Sequence, residues 1–177
     1  RRRVQYLPRH LAAQSAAGQA EARKNGWPVA IAVLDTSGNL VAYEKMDNTQ
    51  TASIQVAIDK GKSAAIYRRP TKVFEDIVAK GGAGLRVMNL RDASVVEGGL
   101  PIVVDGKIIG GIGVSGVNAD QDGMVAKAGA DVAVNFQHRE AEAQAVCREI
   151  EGVGRRALAV KADVSDEVEV AGMFFFV

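Results

Sequence analysis

The sequence is short of the residues that most often carry chemistry. Of its 177 residues one is a cysteine, Cys147, and two are histidines, His10 and His138. A single thiol excludes an intrachain disulfide. So few ligands also exclude zinc sites assembled from several Cys and His side chains. Aromatic residues make up only 5%, and three of the nine are Phe174, Phe175 and Phe176 at the end of the chain. No apolar run approaches the ~20 residues of a membrane-spanning helix. No signal-type apolar stretch follows Arg1-Arg2-Arg3. The chain is therefore expected in the reducing cytoplasm, without a membrane partner. The arginine triplet reads as a solvated terminus rather than a nucleic-acid arm, and no nucleic-acid partner is expected.

Excess charge is missing too: the formal net charge is +1. That balance conceals two parts of opposite sign. Residues 1–130 hold 17 Lys and Arg against 12 Asp and Glu, whereas residues 131–177 hold 5 against 9. Such an asymmetry points to a boundary.

What is present falls into regular elements. Leu11 to Asn25 is rich in alanine and other helix formers, and Asn25-Gly26 is a stop signal. Val29–Leu34 and Leu40–Tyr43 are short apolar runs around the turn Asp35-Thr36-Ser37-Gly38-Asn39, which predicts a hairpin. Ile54, Ala57, Ile58 and Ala65 recur at helical spacing across 53–66, with Gly61 marking close packing. Pro70-Thr71 opens another helix that Lys80-Gly81-Gly82 closes. Gly81 to Gly129 contains 12 of the 19 glycines, and within it Asp105-Gly106 between apolar runs predicts a second hairpin. Asp120 is placed to cap a helix over 121–128. Up to residue 130 this reads as α+β, an antiparallel sheet with helices packed over it. Residues 130–136, 139–151 and 157–160 then read as strand, helix and strand, half of a parallel βαβ arrangement. The predicted domains are 1–130 and 131–177.

Four blocks carry a resemblance to a known family: VAIAVLDTSGNLVAYEKMD (29–47), ASIQVAIDKGKSAAIYRRPT (52–71), EGGLPIVVDGKIIGGIGVSG (97–116) and QDGMVAKAG (121–129). In order and spacing, over about residues 10–130, they resemble the GlcG/HbpS-like haem-binding family, a domain also found at the C-terminus of PduO-type proteins. The resemblance implies a profilin-like antiparallel sheet flanked by helices, self-association into homo-oligomers, and haem or a related tetrapyrrole as cofactor or ligand. AGADVAVNF (128–136), REAEAQAVCREIEGVG (139–154) and RALAVKADVSDEVEV (156–170) resemble a fragment of a short-chain dehydrogenase, with Asp163-Val164 in the place of that family's adenine-side pair. Gly111-Ile112-Gly113-Val114-Ser115-Gly116 fits G-x-G-x-x-G. It is not the dehydrogenase glycine loop, however. That family's proton transfer needs Tyr-x-x-x-Lys, and none of Tyr6, Tyr43 and Tyr67 has a lysine four residues on. Dehydrogenase catalysis and NAD(P) are not expected. The junction reads as a fusion of a family domain with a broken dehydrogenase piece.

Candidate ligand-binding residues are those the motifs place at element ends: Lys45, Asp47, Arg68, Arg69, Glu97 and Ser115. Arginines hold carboxylates bidentately, and Ser115 with nearby backbone N–H groups could hold a small anion. A structural ion pair between Arg69 and Glu97 is the competing reading. Among iron ligands His10, at the start of the first helix, is the candidate, with Met46 and Tyr43 as strand-end alternatives. Asp35 and Asp105 are read as turn residues and Cys147 as a buried, inert thiol. The chain is thus read as an oligomeric, small-molecule or tetrapyrrole binding protein rather than an enzyme. The alternatives are an enzyme on a small carboxylate or aldehyde, and a dehydrogenase remnant that binds nucleotide without catalysis.

Overall fold

The computed structural model describes residues 8–104, 107–130, 132–136, 138–152 and 157–161. The chain divides into two compact units, one of residues 1–103 and 108–130, the other of residues 104–107 and 131–177. The predicted hairpin tip Asp105-Gly106, Asp163-Val164 and Phe174–Phe176 lie outside the described residues.

In the first unit, helix α1 (Pro8–Asn25) is followed by strands β1 (Ala30–Asp35) and β2 (Leu40–Lys45). Helices α2 (Ser53–Tyr67) and α3 (Thr71–Ala79) come next, then a 3-10 segment over Gly82–Asn89 for which the sequence reading assigns no element. Strands β3 (Gly99–Val104) and β4 (Lys107–Ser115) and helix α4 (Ala119–Ala130) complete it. The four strands form one sheet in the order β2-β1-β4-β3, with β1 antiparallel to both its neighbours. This is an α+β fold, a four-stranded antiparallel sheet packed against helices.

Strand β1 explains the layering. Val29, Ile31 and Val33 join Ala22 of α1, Ile102, Ile112, Val114 and the α4 residues Val125, Ala126 and Ala130 in one apolar cluster. The alternate residues Ala30, Ala32 and Leu34 join Ala57 of α2 in a second. A strand buried on both faces reads as a continuous apolar run, as this one does. The sheet therefore lies between α1 and α4 on one side and α2 on the other.

On the α2 side, β4 presents glycine. A Cβ at Gly113 would stand 2.0 Å from the Ala57 carbonyl oxygen and 2.3 Å from the Gly61 nitrogen. One at Gly111 would stand 2.4 Å from the Gly61 carbonyl oxygen. Helix α2 thus rests backbone against backbone on the strand. Its buried residues are Ser53, Ala57, Lys60, Gly61, Ser63, Ala64 and Ala65. Ile54 and Ile58, which share the apolar spacing of Ala57 and Ala65, are only half-buried. Close approach selects the small residues for the contact and turns the bulkier ones toward the flanks.

The turns follow their expected chemistry. Asp35 Oδ1 accepts from the Ser37 and Asn39 backbone N–H groups at 2.8 and 2.9 Å, and Oδ2 accepts from the Asn39 side chain at 2.9 Å. Burial opposes ionisation of Asp35, but these bonds outweigh it and hold the carboxyl below its ordinary range. At α4 the expected cap is displaced by two positions: the helix begins at Ala119, Asp120 lies in its first turn, and the Asn118 carbonyl accepts from Asp122 N–H at 2.9 Å.

In the second unit, strands β5 (Val132–Phe136) and β6 (Ala157–Lys161) pair in parallel around helix α5 (Glu140–Gly152). Cys147 is buried on α5 beside Ala143, and His138 before the helix is exposed. Among the described residues no helix is long and apolar enough to cross a membrane, and no group of three acidic, Cys or His side chains could hold a metal ion.

Candidate functional site

Strand register gathers several candidate residues at one end of the sheet. Ala30 pairs with Lys45 on one side and Ser115 on the other. The next strand joins the same row, because Val114 N–H donates to the Gly98 carbonyl at 2.8 Å. Lys45, Ser115 and Glu97 therefore lie at the same end of the sheet, with Lys45 on one outer strand and Glu97 just before the other. Asp47 follows two residues after Lys45.

A concavity opens here. It is a cleft of about 500 Å³ between the end of α1 and the end of β2, and Lys45, Asp47, Arg23, Trp27 and Met46 are in its wall. Its shape follows from two left-handed residues. Gly26, at φ 68°, ends α1, and Trp27 N–H then donates back to the Ala22 carbonyl at 2.9 Å. Asn48, at φ 65°, turns the chain out of β2. Asparagine is among the few side-chain-bearing residues that tolerate this conformation. Trp27 and Met46 are half-buried against the core cluster shared by α1 and α4. Tyr43, three residues before Met46, belongs to the opposite face, against the α2 cluster. Its buried hydroxyl finds no partner among the described residues, and burial pushes the phenol's pKa up. Only Met46 of the two strand-end ligand candidates reaches the cleft.

Ser115 is buried, and its hydroxyl donates to Ser53 Oγ at 3.3 Å, so it is engaged within the core. Glu97 faces an acidic neighbourhood instead. Its backbone N–H donates to Glu75 Oε2 at 2.6 Å, and a Cβ at Gly123 would stand 2.5 Å from its own carboxylate. Burial raises the Glu97 pKa. Lys72 opposes this, and the charges of Glu75, Asp120 and Asp76 add to it. Lys72 itself bridges Glu75 and Asp76.

The arginines lie elsewhere. Arg68 caps α2 in the left-handed conformation and lines a smaller pocket with Thr36 and Ile108, at the end of the sheet where Asp35 pairs with Gly110. Five residues of strand, about 17 Å, separate that end from the Ala30 row. Arg69 donates to the Tyr67 carbonyl at 3.2 Å and lies 5.6 Å from the Phe74 ring centre. No ion pair joins Arg69 to Glu97 among the described residues. His10 is in the first turn of α1, thirteen residues or about 20 Å of helix from Arg23. Its side chain lies outside those described. The candidate residues thus fall into a cleft end holding Lys45, Asp47, Glu97 and Ser115, and a distal end holding Arg68.

Beneath the cleft end lies a feature the sequence reading does not single out. Lys60 Nζ of α2 donates to Asp122 Oδ2 of α4 at 2.8 Å, with both side chains almost wholly buried. Asp122 Oδ1 also accepts from Val117 N–H at 3.2 Å. Gly98, at φ 123°, leaves room for the pair, since a Cβ there would stand 2.8 Å from Lys60 Nζ. Burial raises the Asp122 pKa against the lowering effect of Lys60. A helical stripe was available as the signal: Lys60 shares a face with Ser53, Ala57 and Ala64.

Chemically, the cleft offers two cations (Arg23 and Lys45), a carboxylate, an indole and a thioether. That donor set fits a flat, amphipathic dicarboxylate. For a haem, Met46 would supply a thioether to iron, Arg23 and Lys45 would meet the propionates, and Trp27 would pack against the ring.

Comparison with known proteins agrees with this architecture. A family model described as haem degrading protein HbpS-like matches residues 10–131. Protein GlcG of Escherichia coli is 45% identical over 100 residues, which cover 56% of this chain and 73% of that protein. The crystal structure of HbpS superposes with a TM-score of 0.66 at 25% identity, covering 73% of this chain and 91% of HbpS. That of a PduOC complex with haem gives 0.63 at 26% identity, covering 69% and 90%. A 41-residue stretch is 54% identical to an L-rhamnose 1-dehydrogenase (NAD(P)(+)) of a Sphingomonas species, but it covers only 16% of that enzyme.

Proposed function

Because this chain belongs to the HbpS-like family over residues 10–131, we propose that it is an oligomeric binding protein for haem or a related tetrapyrrole, held in the cleft between α1 and β2. The observation that carries this reading is the composition of the cleft wall: paired cations Arg23 and Lys45 beside the half-buried Trp27 and Met46. A bound haem would supply redox-active iron. The chain's own part is to hold it: the cations anchor the carboxylates, and the indole and thioether shield one face from water. Asp47 at the rim disfavours further anions, so a dicarboxylate is preferred over a more highly charged ligand. A structure of PduOC with haem among the relatives supports the ligand class. Self-association is part of the reading, since an open cleft covers more of a large ring when a second copy closes over it.

The test is titration with hemin followed by absorbance. An equimolar Soret band is expected, and the double variant Arg23→Ala/Lys45→Ala should bind about tenfold or more weakly. Met46→Leu should shift the band while leaving much of the affinity. Unchanged free-hemin absorbance at micromolar protein refutes the ligand. A band that survives all three substitutions but disappears in His10→Ala refutes the cleft and moves the ligand to the other end of α1.

A further inference from the structure

At the distal end of the sheet, the turn after β1 and the last turn of α2 enclose a pocket of about 220 Å³ lined by Thr36, Ala65, Ile66, Arg68 and Ile108. Its walls are fixed in place. Gly38 is pressed onto the helix so closely that a Cβ would stand 2.9 Å from Lys62 Cγ and 3.2 Å from Ile66 Cγ2.

Arg68 is the unusual member. It occupies the left-handed region at φ 57° and ψ 39°, where its Cβ is strained against its own carbonyl. A helix end asks only for that conformation, and glycine supplies it without strain. The neighbouring cations are engaged: Lys62 with Asp92 at 3.1 Å, and Arg69 with the Tyr67 carbonyl and the Phe74 ring. The guanidinium of Arg68 has no hydrogen bond or ion pair among the described residues. Strain retained at a residue whose charge is unused points toward a ligand. Against the negative end of the α2 dipole, about half an elementary charge, the guanidinium brings a full positive charge to the pocket wall.

We propose that this pocket is a second binding site, separate from the cleft, for a small aliphatic carboxylate. The carboxylate lies bidentate on Arg68 with the Thr36 hydroxyl as a further donor. The aliphatic body packs on Ala65, Ile66 and Ile108. The volume lies below the range of roughly 300–1,000 Å³ typical of drug-sized ligands, which restricts the occupant to a short chain.

Butyrate is a suitable probe and butylamine its control, read by the methyl resonances of Ala65, Ile66 and Ile108. Saturable butyrate shifts are expected at these methyls, with none from butylamine. Arg68→Gly and Arg68→Asn should each weaken binding about tenfold or more, with melting temperatures equal to or above that of the parent chain because both residues accept the left-handed conformation. The proposal is overturned if butyrate moves none of these methyls across the millimolar range, if butylamine moves them equally, or if a folded variant binds butyrate as the parent does. Hemin titration of Arg68→Gly should match the parent. Loss of hemin binding in that variant would assign Arg68 to the tetrapyrrole site and overturn a second site.

Discussion

Replacing Lys60 by methionine removes one charge from a pair whose side chains are 2% and 3% exposed and whose charged atoms are 2.8 Å apart. At an effective dielectric constant of ~20, two unit charges about 4 Å apart attract by about 4 kcal/mol. Taking each ion out of water costs several kcal/mol, so the intact pair contributes little net stability. The single variants differ, because each strands a charge. Lys60→Met leaves the Asp122 carboxylate with only the backbone N–H groups of Gly116 and Val117, and a loss of about 3–5 kcal/mol is expected. Asp122→Leu strands the ammonium and also orphans those N–H groups, so its loss should lie at the upper end of the same range. The double variant Lys60→Met/Asp122→Leu strands no charge and should recover to within about 2 kcal/mol of the parent. Urea unfolding followed by the fluorescence of Trp27, the single tryptophan, measures all four proteins. Losses under about 1 kcal/mol in both single variants would refute the burial argument. A double variant as unstable as the two single losses combined would refute the coupling.

Other consequences are equally open to measurement. Gly113→Ala drives a methyl into the Ala57 carbonyl and the Gly61 nitrogen, both backbone, and should cost about 3 kcal/mol or more in the same unfolding assay. Glu97 has a raised folded-state pKa, so its contribution is fully present below its ordinary value of 4.5 and is lost as pH rises through the raised value. Glu97→Gln should therefore flatten the fall in melting temperature over that interval. Asp35 has the opposite sign. Its lowered pKa stabilises the fold above the ordinary value of 3.8, and this is lost as pH falls through the lowered one. Asp35→Ala should cost about 1 kcal/mol at neutral pH, and thermal melts of parent and variant should draw together in acid.

The layout of the first unit was legible wherever local signals and tertiary packing agree. Asn25-Gly26 ends α1, Asp35 builds its own turn, and the apolar run at 29–34 is the strand buried on both faces. The 3-10 segment 82–89 escaped notice because Gly82 and Gly84 obscure any period there. The buried face of α2 was legible only in part, at Ala57, Gly61 and Ala65, because packing against Gly111 and Gly113 rewards small residues over apolar ones. That same preference hides Lys60, a charged residue on a face that hydrophobicity alone does not mark. At the candidate site, Lys45 and Asp47 could be singled out as strand-end polar residues. Arg23 and Trp27 could not, since they join the cleft only through the fold of α1 onto β2. Adjacency in sequence also misled at Arg68-Arg69: a left-handed cap sends consecutive arginines to different surroundings.

The glycine contact between α2 and β4 has a mechanical consequence. A helix seated by backbone atoms has no side-chain layer through which to slide or roll by small steps. Its fifteen residues therefore act as a ruler about 22 Å long, with Ser53 fixed at the cleft end and Arg68 just past the distal one. A disturbance at either end is not absorbed at the crossing. It must move the whole helix as a rigid body or stay local, so events at the two ends are either strongly linked or independent.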